Sequence, residues 1–120
     1  MSQPTILIVE DEPLIRMCAV DFAEEAGYAA LEAKDAGEAI ALLEGGGGIA
    51  VLFTDITLPG GMDGLALAEH AATRWPEMRI MLASGALAGL PSDVAPGAYR
   101  LPKPYGMAQF LKALESLSPA

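Results

Sequence analysis

Short continuous apolar runs alternate with helical stripes along this chain, and that alternation limits the folds open to it more than any other feature. Residues 5–9, 50–53 and 79–83 are mostly aliphatic runs of the length expected for strands buried on both faces. Residues 28–33 and 98–101 are weaker strand candidates, suited to sheet edges. Ala36, Ala39, Ile40 and Leu43 fall at helical spacing behind Asp35 and Glu38, a variant of the capping box. Leu65, Ala68, Ala72 and Trp75 form a second stripe, and Met107, Phe110, Leu111, Leu114 and Leu117 a third. Pro13 suits the first position of a helix that is expected to turn Leu14, Cys18 and Phe22 inward. The pattern is β-α repeated five times, which calls for an α/β fold with a parallel sheet covered by helices on both faces. Residues 87–97, with Pro91, Pro96, Gly89 and Gly97, leave room for only a short or poorly formed fourth helix.

At 120 residues the chain suffices for one domain, taken as 1–120 with no separate output domain. Its net charge of -9 argues against a basic surface for nucleic acid or anionic lipid. The acidity is concentrated in residues 1–44, which hold ten acids and two bases. The single cysteine, Cys18, excludes an internal disulfide and is expected in the core. His70 is expected on the solvated side of its helix. No apolar stretch is long enough to span a bilayer, so a cytoplasmic protein without membrane insertion is expected. The Gly45–Gly48 run is a connection, since no Gly-Lys-Ser/Thr follows it to bind phosphate.

In open parallel sheets, ligands bind beyond the carboxyl ends of the strands. Those ends carry Glu10, Asp11 and Glu12 after the first strand, Asp55 after the third, Ser84 and Gly85 after the fourth, and Lys103 and Pro104 after the fifth. Clustered carboxylates need a proton, a cation or the Lys103 ammonium beside them. Oxygen donors without His or Cys favour a hard ion, Mg²⁺ above all, with Mn²⁺ as a substitute. A carboxylate beside such an ion can attack phosphorus, giving an aspartyl-phosphate. In this scheme Asp55 is the nucleophile, Asp11 a direct ligand, and Glu10 an acid acting through water. Lys103 and the Ser84 hydroxyl would each meet a phosphoryl oxygen. An aspartate-nucleophile phosphatase would need a second acid two residues after Asp55, and Thr57 stands there.

Four motifs occur in order at these strand ends: Val9-Glu10-Asp11-Glu12-Pro13; Thr54-Asp55 through Leu58-Pro59 and Met62-Asp63-Gly64; Ala83-Ser84-Gly85; and Pro102-Lys103-Pro104-Tyr105. Together they resemble the response-regulator receiver domain of two-component signalling, from about Thr5 to Leu117. The resemblance implies a doubly wound (βα)5 sheet, flavodoxin-like, of strand order 2-1-3-4-5. It implies phosphorylation of Asp55 by a sensor histidine kinase or a histidine phosphotransfer protein, with output by contact with a downstream protein that the sequence does not name. It makes Glu10 and Asp11 the acidic pair, the Thr57 backbone carbonyl a further metal ligand, Ser84 the switch hydroxyl, and Lys103 the lysine, joined to Pro104 by a cis bond. No conventional enzyme is implied, only self-phosphorylation from a phosphodonor and autodephosphorylation. A pseudo-receiver interaction module and a phosphate sink are the alternatives.

Two departures accompany the match. Gly60-Gly61 adds a glycine to the loop after Pro59, and Arg100 stands where the family carries its switch aromatic. Tyr99, one residue earlier, points to the opposite face of its strand and does not substitute for it. Thr57 and Ala86, at positions that the family it resembles uses to tune water access to the phosphoryl group, are modest in size.

Overall fold

The apolar runs become the centre of the sheet because no face of them can be left in water. In the computed structural model, which describes residues 3–85 and 97–117, β1 (Thr5–Val9), β3 (Ile49–Asp55) and β4 (Arg79–Ser84) are the interior strands. β2 (Ala29–Ala33) and the short β5 (Tyr99–Pro102) form the edges. All pairings are parallel and the order is β2-β1-β3-β4-β5, so the expected doubly wound architecture is what the chain adopts. Ala86 and residues 87–96 lie outside the described residues, and with them the expectation of a short fourth helix.

Alternate strand residues feed two cores. Leu7, Val9, Leu52, Ile80 and Leu82 face α2 (Ala36–Glu44) and α3 (Gly64–Arg74). Ile6, Ile8, Val51, Phe53, Met81 and Leu101 face α1 (Pro13–Glu25) and α4 (Met107–Leu117). On that second face Phe53 and Phe110 meet edge to face at 5.1 Å, with Phe22 and Tyr105 completing an aromatic cluster.

Helix boundaries follow local chemistry. Asp35 accepts a hydrogen bond from the Glu38 N–H at 2.8 Å, and Glu38 accepts one from the Lys34 N–H at 2.9 Å, closing the capping box one residue early. Gly27, at φ 91°, leads the chain out of α1.

Three expectations are corrected. On α1 the buried residues are Ala19 and Ala23, whereas Leu14 is 70% exposed and Cys18 is exposed. Two alanines on one face let this helix approach the sheet closely, which rotates the larger side chains to its flank. On α3 the buried line is Leu67, Ala68 and Ala71, with Leu65, Ala72 and Trp75 partly buried beside it. His70 is not a freely solvated residue: its ring meets the Trp75 ring edge-on at 6.1 Å, and its Nε2 is buried without a hydrogen-bond partner.

Candidate functional site

Sheet register brings the acids together. Val9 pairs with Thr54, so the next residues along, Glu10 and Asp55, emerge side by side at the carboxyl edge. Asp55 pairs with Ala83, and Ser84 with Pro102, placing the β4 and β5 ends next in line. A crevice of about 440 Å³ opens there, lined by Glu10, Asp11, Asp55, Thr57, Lys103 and their neighbours.

Glu10 is 2% exposed and Asp55 8%, while Asp11 is exposed. One carboxylate oxygen from each lies within 4.8 Å of those of the other two. Lys103 reaches in from the end of β5, with Nζ 2.5 Å from Asp55 Oδ2 and 3.6 Å from Glu10 Oε1. The other Asp55 oxygen, Oδ1, accepts from the Thr57 N–H at 3.1 Å. Glu10 Oε2 accepts from the Glu12 N–H at 3.0 Å. The Lys103–Pro104 bond is cis, as the resemblance implies.

Burial raises the Glu10 carboxyl above its ordinary pKa, with the Asp55 and Asp11 carboxylates adding to the rise; the Glu12 N–H and Lys103 oppose it without prevailing. At Lys103 burial pulls downward, but the bond to Asp55 and the charges of Asp55 and Glu10 outweigh it and the net shift is upward. Lys103 is therefore a fixed cation. Burial, then the neighbouring Glu10 and Asp55 carboxylates, also raises the Tyr105 phenol, which stays neutral.

The donor set fits a hard divalent cation. It is oxygen-only, and when ionised its three carboxylates leave two negative charges beyond what Lys103 balances. Two of the three are nearly buried, where unbalanced charge is costly.

The structure thus brings Glu10, Asp11, Asp55, Thr57 and Lys103 into one crevice. Ser84 ends the adjacent strand and is not among the lining residues; its carbonyl accepts from the Lys103 N–H at 3.0 Å. Three further residues hold the site. The buried Thr54 hydroxyl donates to the Asp55 carbonyl at 2.9 Å. A Cβ on Gly64 would stand 1.6 Å from that carbonyl oxygen, so only glycine fits there. Arg16, on the first turn of α1, donates from Nη1 to the Glu10 carbonyl at 2.8 Å. Of these, Thr54 and Gly64 lie within the quoted motifs, while nothing but helical position distinguishes Arg16 in the sequence.

Residues 6–115 match the response regulator receiver domain family. The chain is 32% identical over 119 residues to the sensor kinase CckA of Brucella abortus, covering 94% of this chain and 12% of the kinase. It is 35% identical over 85 residues to the cyclic di-GMP phosphodiesterase RocR of Pseudomonas aeruginosa, covering 70% of this chain and 21% of that protein. It therefore spans a small part of both curated relatives. Among solved structures, a CheY-like response regulator receiver domain protein from Methanospirillum hungatei superposes with a TM-score of 0.84 at 30% identity, covering 96% of this chain and 93% of that one. No helix among the described residues is long and apolar enough to cross a membrane.

Proposed function

This chain belongs to the response regulator receiver domain family of two-component signalling, and we propose that it is a phosphoacceptor switch in which Asp55 takes a phosphoryl group from a phosphohistidine. The observation that carries the reading is the meeting of Lys103 with Asp55, at 2.5 Å, inside a cluster completed by Glu10 and Asp11.

Both oxygens of Asp55 are held, one by the Thr57 N–H and one by Lys103, so the carboxylate faces the crevice in a fixed orientation. One oxygen attacks phosphorus; the phosphorus–nitrogen bond of the donor breaks, its electron pair stays on the imidazole, and that nitrogen takes a proton. Lys103 then turns its ammonium to a phosphoryl oxygen, and the Ser84 hydroxyl donates to another. Glu10, Asp11, Asp55 and the Thr57 carbonyl would hold Mg²⁺, which when bound offsets the charge gathered at phosphorus. Hydrolysis by water breaks the phosphorus–oxygen bond to Asp55 and restores the carboxylate.

The partner side of this reading rests on α1. Leu14, Ile15, Cys18 and Phe22 line an apolar groove of about 430 Å³ with Pro104 and Tyr105, and the groove ends at Lys103. A histidine kinase or phosphotransfer protein seated there brings its phosphohistidine to Asp55, steered by the acids Asp21, Glu24 and Glu25 on the same helix. In the same reading the chain works in the cytoplasm and signals by protein contact.

Intact-mass analysis after incubation with acetyl phosphate tests the chemistry. One phosphoryl adduct is expected on wild type with Mg²⁺, and none without Mg²⁺ or on Asp55→Asn. No adduct from either acetyl phosphate or a phosphorylated histidine phosphotransfer protein would leave a pseudo-receiver that binds partners without phosphorylation.

A further inference from the structure

Every polar group of Glu10 is engaged, and one of its partners comes from outside the site. Its N–H donates to the Ala33 carbonyl at 3.0 Å, its carboxylate meets the Glu12 N–H and Lys103, and its carbonyl accepts from Arg16 Nη1 at 2.8 Å. The same guanidinium donates from Nε to Glu32 Oε1 on β2 at 3.0 Å. Arg16 therefore ties three elements together: α1, which carries it; the turn after β1; and the edge strand β2. The carbonyl it holds belongs to the peptide linking Glu10 to Asp11, so its direction governs where both carboxylates point.

We propose that Arg16 is a positioning residue whose forked guanidinium, held by Glu32, fixes the Glu10–Asp11 peptide and thereby the acidic pair for a divalent cation. The proposal rests on the functional reading of the crevice given above. A planar guanidinium presents Nε and Nη1 at a fixed angle and can serve a carbonyl and a carboxylate together, whereas an ammonium is a point charge with no such fork. Arg16 touches no reacting atom; its effect runs through the backbone of Glu10.

Charge and positioning predict opposite signs. A cation near the crevice repels a divalent ion, so if Arg16 were only a charge its removal would tighten binding. If it positions the acids, its removal loosens binding. Arg16→Met and Arg16→Lys both keep a long, helix-compatible side chain at a position where the Arg16 side chain is 21% exposed, and their folds are checked by circular dichroism and thermal melting.

The experiment is calorimetric titration of the unphosphorylated protein with Mg²⁺, paired with hydrogen exchange of the Glu12 amide in metal-free protein. For Arg16→Met, Mg²⁺ affinity is expected to fall about tenfold, in the range seen when the groups orienting metal ligands are removed. Arg16→Lys is expected to shift the same way, and Glu12 exchange to accelerate in both. Unchanged or tighter Mg²⁺ binding by Arg16→Met, wild-type behaviour of Arg16→Lys, or unchanged Glu12 exchange would each overturn the proposal. Wild type that binds no Mg²⁺ would instead overturn the reading of the crevice, and Glu12 exchange would then decide the role of Arg16 alone.

Discussion

Two helices reach the carboxylate crevice from opposite faces of the sheet, and they begin in opposite ways. α3 is closed at its start: Asp63 accepts from the Ala66 N–H at 2.9 Å, and the Gly64 N–H donates to the Ile56 carbonyl at 2.7 Å. Gly64 itself lies against the Asp55 carbonyl, and Leu67, Ala68 and Ala71 are buried behind it. α1 has no side-chain cap at Glu12, and its first turns leave Leu14 and Met17 in water at 70% and 59% exposure. The difference separates two needs of one site. The flank that sets the position of Asp55 is packed to contact, and the flank beside Lys103 keeps apolar surface uncovered.

The largest effect expected from breaking this contrast lies on the closed flank. In Gly64→Ala the new Cβ overlaps backbone, which no rotamer change relieves, so stability is expected to fall by about 3 kcal/mol or more in urea unfolding. Gly37→Ala, on α2, is the control. Its Cβ would meet only Asp35 Oδ1 at 3.4 Å, and the change should leave stability level or raise it by up to about 1 kcal/mol. Near-wild-type stability of Gly64→Ala would mean that close approach does not fix this flank.

The same contrast explains how much the sequence discloses. The strand positions and the meeting of Glu10, Asp11, Asp55 and Lys103 are legible because they follow from apolar runs ending in polar residues, a pattern local in sequence. The strand order is legible only through the family resemblance that the four motifs carry. What is not legible depends on the rotation of a helix about its own axis. Leu14 and Cys18 lie at helical spacing with Phe22, and a helix resting on alanines satisfies the same periodicity with a different face inward. Arg16 was hidden for a related reason: six residues from Glu10 in sequence, it contacts that carbonyl only through the turn that joins β1 to α1.

A smaller effect is expected at the buried acid between the two flanks. Burial raises the Glu10 pKa above its ordinary 4.5, so the folded metal-free protein holds that proton more tightly than the unfolded chain. The stabilisation this gives is complete below 4.5 and is lost as pH rises through the raised folded value. Glu10→Gln removes the titration. In urea unfolding with EDTA, its stability relative to wild type is therefore expected to climb from pH 4.5 upward, while its Mg²⁺ binding is lost. A stability difference independent of pH would show that Glu10 ionises in the fold as it does in the unfolded chain.

The smallest effect on stability, and the sharpest on function, is expected on the open flank. Leu14→Gln combined with Met17→Gln removes apolar surface that is already in water, using residues that favour helix, so unfolding should shift by no more than about 0.5 kcal/mol. Neither side chain lines the carboxylate crevice, so labelling by acetyl phosphate should be unchanged. On the proposed reading, transfer from a phosphorylated histidine phosphotransfer protein uses the groove that Leu14 lines, and should slow about tenfold, equivalent to ~1.4 kcal/mol of lost contact. Transfer at the wild-type rate would move the dock off α1. A matching loss with acetyl phosphate would show that this flank, too, shapes the chemistry, and the division between a closed side and an open side would fall.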